Sequence, residues 1–242
     1  MRYGAKTDKG MLRSLNEDNF CMANLPEVPF ALFAVADGVG GLYAGEVASE
    51  IAAEVFAESY QKLTEAERMP EPAEFLRHTA QNANEAIIRH AYETAHNDMG
   101  TTLVTCAVTE TRIFTLNFGD SRAYLLSRGA LRQLTVDHTI YAEFVRSGRF
   151  TADEAKQLYG SNRITNGLGF FSCPTGDMFT DTYDPGDKLL LCSDGLSGML
   201  SFEEIGSFLT DCENPAETAG AMVDLANEKG GRDNITAVVV AL

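Results

Sequence analysis

Residues 30–38 read Phe30-Ala31-Leu32-Phe33-Ala34-Val35-Ala36-Asp37-Gly38. The run from Phe30 to Ala36 is apolar on both faces and stops at a turn-type pair, which predicts a strand covered on both sides. The same pattern recurs outward from it. Thr102 to Val108 and Ile113 to Phe118 are segments of β-branched, aromatic and apolar residues, and Lys188 to Cys192 and Ile235 to Leu242 complete the set of strands. Between them lie helical patterns. Glu46 to Tyr60 places Val47, Ile51 and Val55 on one face, and Pro72 to Thr94 does so with Leu76, Ala80, Ala83, Ile87 and Ala91. Asn214 has the features of an N-cap, with Pro215 at the first helical position and Glu217 at the third, predicting burial of Ala219, Met222, Val223 and Ala226. Ser201 with Glu204 and Thr151 with Glu154 are capping boxes. Strands and helices are segregated along the chain, which predicts an α+β class. Loops are short and no repeat is present, so residues 1–242 are read as one domain.

Composition narrows the function. Hydrophobic residues make up 45% and charged residues 22%, an ordinary globular balance. The apolar runs fall far short of the ~20 residues of a membrane span, and residues 1–20 lack a basic-then-apolar leader. A cytoplasmic protein without membrane contact is the expectation. The five cysteines show no CxxC spacing, so reduced, mostly buried thiols are expected. A formal charge of −16 excludes nucleic acid as a partner, because binding it needs a basic surface to replace counterions. Acidity favours cations only where carboxylates gather.

They recur at strand ends. Apolar runs lead into Asp37-Gly38, into Asp194-Gly195 and into Asp120-Ser121. Asp233-Asn234 precedes the last strand, and Asn16-Glu17-Asp18 precedes Phe20-Cys21-Met22. One Asp-Gly pair is ordinarily a turn in which Gly supplies positive φ. Several such carboxylates converging would repel one another unless a divalent cation lay between them. Oxygen-only ligands favour Mg²⁺ or Mn²⁺. His78, His90, His96 and His138 do not share the pattern, which argues against zinc.

Taken in order, these segments resemble the type 2C, or PPM, metal-dependent Ser/Thr protein phosphatases of bacteria. The resemblance rests on Arg13-Ser14-Leu15-Asn16-Glu17-Asp18, Val35-Ala36-Asp37-Gly38-Val39-Gly40-Gly41, Gly100-Thr101-Thr102-Leu103, Phe118-Gly119-Asp120-Ser121-Arg122, Asp137-His138-Thr139, Ser193-Asp194-Gly195-Leu196 and Arg232-Asp233-Asn234-Ile235-Thr236. It implies a four-layer αββα sandwich of two antiparallel sheets flanked by helices. It implies two Mn²⁺ or Mg²⁺ ions, bridged by Asp37, with the Gly38 carbonyl, Asp194 and Asp233 as further ligands. Glu17 and Asp18 would hold metal-bound waters, Asp120 with Asp194 a third, weaker ion, and Arg13 the substrate phosphate, whose oxygens suit a guanidinium fork. A metal-bridging hydroxide would attack phosphorus in line, with no covalent intermediate. Ser121, Ser193 and His138 are read as structural.

Three positions depart from the family pattern: Val39 and Leu42 stand where relatives carry histidine, and Ser197 where some carry the aspartate of the third ion. Residues 139–170 match the family's flap, in which Arg146, Arg149 and Arg163 either meet acidic phosphopeptide or form a solvated face. The implied substrates are phosphorylated proteins, a Ser/Thr kinase and its substrates among them, and a monomer is expected. Two alternatives stay open: a phosphatase of small phosphorylated metabolites, and a non-catalytic phosphoprotein-binding pseudophosphatase.

Overall fold

The computed structural model describes residues 1–242 except 41–43, 96–98, 159, 161 and 171–173. Gly41, Leu42, His96 and Cys173 therefore lie outside the described residues. The strands are β1 (Arg2–Asp8), β2 (Asp18–Ala23), β3 (Ala31–Gly40), β4 (Met99–Thr101), β5 (Leu103–Val108), β6 (Arg112–Phe118), β7 (Arg122–Ser127), β8 (Ala130–Gln133), β9 (Asp177–Thr182), β10 (Lys188–Cys192) and β11 (Ile235–Ala241). The helices are α1 (Gly45–Lys62), α2 (Pro72–Thr94), α3 (Ile140–Arg146), α4 (Ala152–Lys156), α5 (Asp194–Ser197), α6 (Phe202–Thr210) and α7 (Pro215–Glu228).

Two antiparallel sheets form, in the orders β1-β11-β10-β7-β8 and β2-β3-β5-β6-β9, with β4 pairing the end of β3. Three apolar layers bind the stack. Phe33, Val35, Val104, Leu189, Leu191 and Val238 fill the space between the sheets. Leu32, Phe56, Leu76 and Ile87 join α1 and α2 to one outer face. Leu190, Leu209, Met222 and Val239 join α6 and α7 to the other. The expected αββα sandwich is the observed architecture. It explains why β5 and β11 are buried along their whole length.

α2 spans the predicted residues and buries the predicted face. α7 is capped by the Asn214 side chain, and both capping boxes form. The face of α1 is corrected. Gly45, Ala48, Ser49, Ala52, Phe56 and Tyr60 are its buried residues, while Val47, Ile51 and Val55 are only half-buried and pack around them. Small side chains let the helix come close to the sheet, so the bulkier aliphatics flank the contact instead of filling it. Strand β3 is also longer than its apolar run: it continues through Asp37 to Gly40 to pair with β4. The cysteines Cys21, Cys106, Cys192 and Cys212 are free and buried, as expected.

Candidate metal centre

The predicted carboxylates are delivered by different elements to one end of the sandwich. Asp18 opens β2 and sits directly opposite Asp37 of β3. Asp120 follows Gly119, whose φ of 94° turns the chain between β6 and β7. Asp194 begins α5 just after β10, and Asp233 precedes β11, the neighbour of β10. A cavity of ≈ 240 Å³ is lined by Arg13, Glu17, Asp37, Gly38, Asp120, Asp194 and Asp233, with Val39, Thr102 and, from the segment after α4, Asn162, Arg163 and Ile164. Asp18 lies buried behind this lining.

The glycines after Asp37 and Asp194 are not there for positive φ, contrary to the turn reading; neither has it. A Cβ on Gly38 would overlap the Gly45 carbonyl and come within 2.8 Å of the Glu17 carbonyl oxygen, and one on Gly195 would overlap the Asn234 carbonyl. Their role is close backbone approach, which brings the acidic segments together.

Asp18 is held from one side only. Its Oδ2 accepts from Ser193 Oγ and from Thr236 Oγ1, each at 2.7 Å. The Thr236 hydroxyl proton is thereby committed, so its 2.8 Å contact with Thr7 Oγ1 has Thr7 as donor, and Thr7 in turn accepts from Asn16 Nδ2. Asp18 Oδ1 is buried and, among the described residues, has no hydrogen-bond partner. Such an oxygen is costly unless a proton or cation meets it.

Electrostatics agree. Burial, with Asp18, Asp194, Asp120 and Asp233 nearby, pushes the Asp37 carboxyl well above the usual carboxylate range. Burial raises Asp18 to about 7 against its two hydroxyl donors, and burial with Asp194 and Asp137 raises Asp120 to about 7. Burial and Asp233 raise Asp194, offset by its hydrogen bond with Asp37. Like charges held out of water favour protons or cations. Among the described residues, no three acidic, cysteine or histidine side chains make a closed cage around one point. Mg²⁺ characteristically takes one or two carboxylates and keeps several waters, so this oxygen-only set fits hard divalent ions.

Arg13 Nη2 donates to Asp233 Oδ2 at 2.8 Å, and its Nη1 lies 3.8 Å from Glu17 Oε2. Burial lowers its affinity for its proton, but Asp233, Glu17 and Asp37 hold the guanidinium above its ordinary value. The predicted phosphate ligand thus lines the cavity while paired with two predicted metal-site carboxylates. His138 faces elsewhere: Gly119 N–H donates to its Nδ1 at 3.2 Å, so Nε2 carries the proton and donates to Asp177. Both ring nitrogens are thus engaged outside the cavity lining. Arg163 lines the cavity, whereas Arg146 and Arg149 are exposed and absent from its lining.

Sequence reasoning gave Asn234 no role. Its Oδ1 accepts from Glu17 N–H, its Nδ2 donates to the carbonyls of Lys9 and Leu15, and its own N–H donates to Asp233. In Arg232-Asp233-Asn234-Ile235-Thr236, an amide beside an aspartate carries no signal of what it bonds. Thr102 was likewise passed over; its hydroxyl accepts from Asp37 N–H and contacts Ser121 Oγ.

Residues 13–228 match the sequence profile of the family described as Protein phosphatase 2C. The chain is 37% identical over 237 residues to the serine/threonine phosphatase stp of Listeria monocytogenes, covering 97% of this chain and 93% of that one. The serine/threonine phosphatase PstP/Ppp of Mycobacterium tuberculosis superposes with a TM-score of 0.86 at 34% identity, covering 100% of this chain and 98% of that one. The catalytic domain of PstP in complex with two manganese ions superposes with a TM-score of 0.82 at 35% identity, covering 98% and 96%.

Proposed function

Since this chain belongs to the protein phosphatase 2C family and is a metal-dependent serine/threonine protein phosphatase, we propose the following division of labour in its cavity. Asp37, the Gly38 carbonyl, Asp194 and Asp233 hold two Mn²⁺ or Mg²⁺ ions. Glu17 and Asp18 fix waters beside them, and Asp120 with Asp194 takes a third, weaker ion. When bound, the ions supply Lewis-acid charge for the phosphoryl oxygens and acidify a water at neutral pH.

The chain's own residues do the rest. Arg13 turns its guanidinium fork from Asp233 to the phosphoryl oxygens of phosphoserine or phosphothreonine, stabilising charge as the P–O bond to the side chain breaks. Ser193 and Thr236 keep Asp18 Oδ1 free by occupying Oδ2. Displacement at phosphorus is direct, and no serine or cysteine of the cavity becomes covalently modified. The setting is a cytoplasmic monomer acting on a Ser/Thr kinase and its substrates.

One observation carries this reading: carboxylates from separate elements crowd one cavity while a buried Asp18 oxygen has no partner among the described residues. With Mn²⁺ the protein should hydrolyse phosphothreonine peptides and p-nitrophenyl phosphate. Asp37→Asn and Asp194→Asn should each reduce kcat by about 10²-fold or more. Turnover that survives EDTA, or a preference for phosphorylated metabolites over peptides, would refute it.

A further inference from the structure

The turn between β1 and β2 carries Arg13 at its centre and three large apolar side chains around it. Met11 is 68% exposed, Leu12 72% and Leu15 51%. Single exposed apolar residues are ordinary, but three within five residues of one turn, beside a cavity, make a patch.

The turn is also fixed. Met11 N–H and Leu12 N–H both donate to the Gly231 carbonyl, at 2.8 and 3.3 Å. Asn234 Nδ2 grips the carbonyls of Lys9 and Leu15 at 2.9 and 2.8 Å. Gly10, at φ 78°, lies so close to the Asp233 and Gly231 carbonyls that no side chain fits there. The backbone is therefore held with its apolar side chains outward, so little ordering is needed when something covers them.

We propose that Met11, Leu12 and Leu15 form a docking ledge for apolar residues flanking the phosphorylated side chain of a protein substrate. The inference rests on the phosphatase reading, because Arg13, which lines the cavity, stands between Leu12 and Leu15 on the same turn. Charge excludes acidic flanks, and the apolar side chains of the turn themselves favour apolar ones. The chain carries −16, and the cavity is lined with carboxylates, so acidic flanks are repelled while apolar flanks are not.

The test uses the full chain with Mn²⁺ and three substrates: a phosphothreonine peptide with leucine on both sides of the phosphorylated residue, the same peptide with serine there, and p-nitrophenyl phosphate. The parent should favour the leucine peptide in kcat/KM by about tenfold. The double variant Leu12→Ser, Leu15→Ser should lose that preference while keeping p-nitrophenyl phosphate turnover within about twofold. Leu12→Met, Leu15→Met should retain it, which separates the ledge from any folding defect of the serine variant. Equal treatment of the two peptides by the parent overturns the ledge. So does a proportional loss on all substrates, or sedimentation showing a parent dimer that the serine variant dissociates. A parent that fails to hydrolyse even p-nitrophenyl phosphate overturns the phosphatase reading instead.

Discussion

Adding one methyl group at Gly195 tests how the cavity is built. That Cβ would meet the Asn234 carbonyl, which is backbone and cannot swing aside, and would lie 3.4 Å from Asp233 Cβ. Gly195→Ala must therefore push α5 away from the residues leading into β11, separating Asp194 from Asp233. Overpacking of this kind costs about 1–3 kcal/mol. The expected outcome is a lower Tm together with a weaker Mn²⁺-induced rise in Tm, both read by calorimetry. An alanine variant whose Mn²⁺ response matched the parent's would show that close approach here does not set the site. The sequence made Asp194 visible but assigned its glycine to the wrong cause, since Asp-Gly looks the same whether glycine serves φ or proximity.

Among elements, those recognisable from sequence owe their form to local rules. α2 follows a 3.6-residue apolar period and α7 has Asn214 and Pro215 at its start. Strands β5, β6, β10 and β11 are the apolar runs themselves. Strands β1, β2, β4, β7, β8 and β9 are not legible as such runs. β9 has an exposure pattern without full burial, and β7 opens with Arg122, whose guanidinium is committed to Asp137 at 2.6 Å. The face of α1 was misplaced because alanine contributes little to an apolar pattern, even where its smallness decides the packing. The β1–β2 turn depends on a residue 217 to 225 positions away in kind rather than in pattern: Asn234 supplies its pins. Asn234→Ala would remove the bonds to the Glu17 N–H and to two carbonyls, costing about 0.5–1.5 kcal/mol for each bond. Because the loosened turn carries Arg13, KM for phosphopeptide should rise more than kcat falls. A fall in kcat with KM unchanged would place Asn234's influence on Asp233 rather than on the turn.

For the molecule as a whole, the buried carboxylates make stability depend on pH in a direction opposite to that of ordinary salt-bridged acids. Asp18 and Asp120 have an ordinary value of 3.8 when exposed and are raised to about 7 in the fold, burial being the largest cause in both. Between those values the folded chain binds protons that the unfolded chain releases, so each rise in pH favours unfolding. The stabilising contribution is complete below about 3.8 and gone above about 7. In EDTA, Tm should therefore fall between pH 5 and pH 7.5, and Asp120→Asn, which cannot ionise, should flatten that fall and raise Tm at the upper end. Mn²⁺ competes with protons for the same oxygens, so its stabilisation should grow across the same window. A metal-free Tm that is level or rising from pH 5 to 7.5, with Asp120→Asn tracking the parent, would mean that these carboxylates are not held together out of water. The shared cavity on which both the proposed chemistry and the pH response depend would then lose its physical basis.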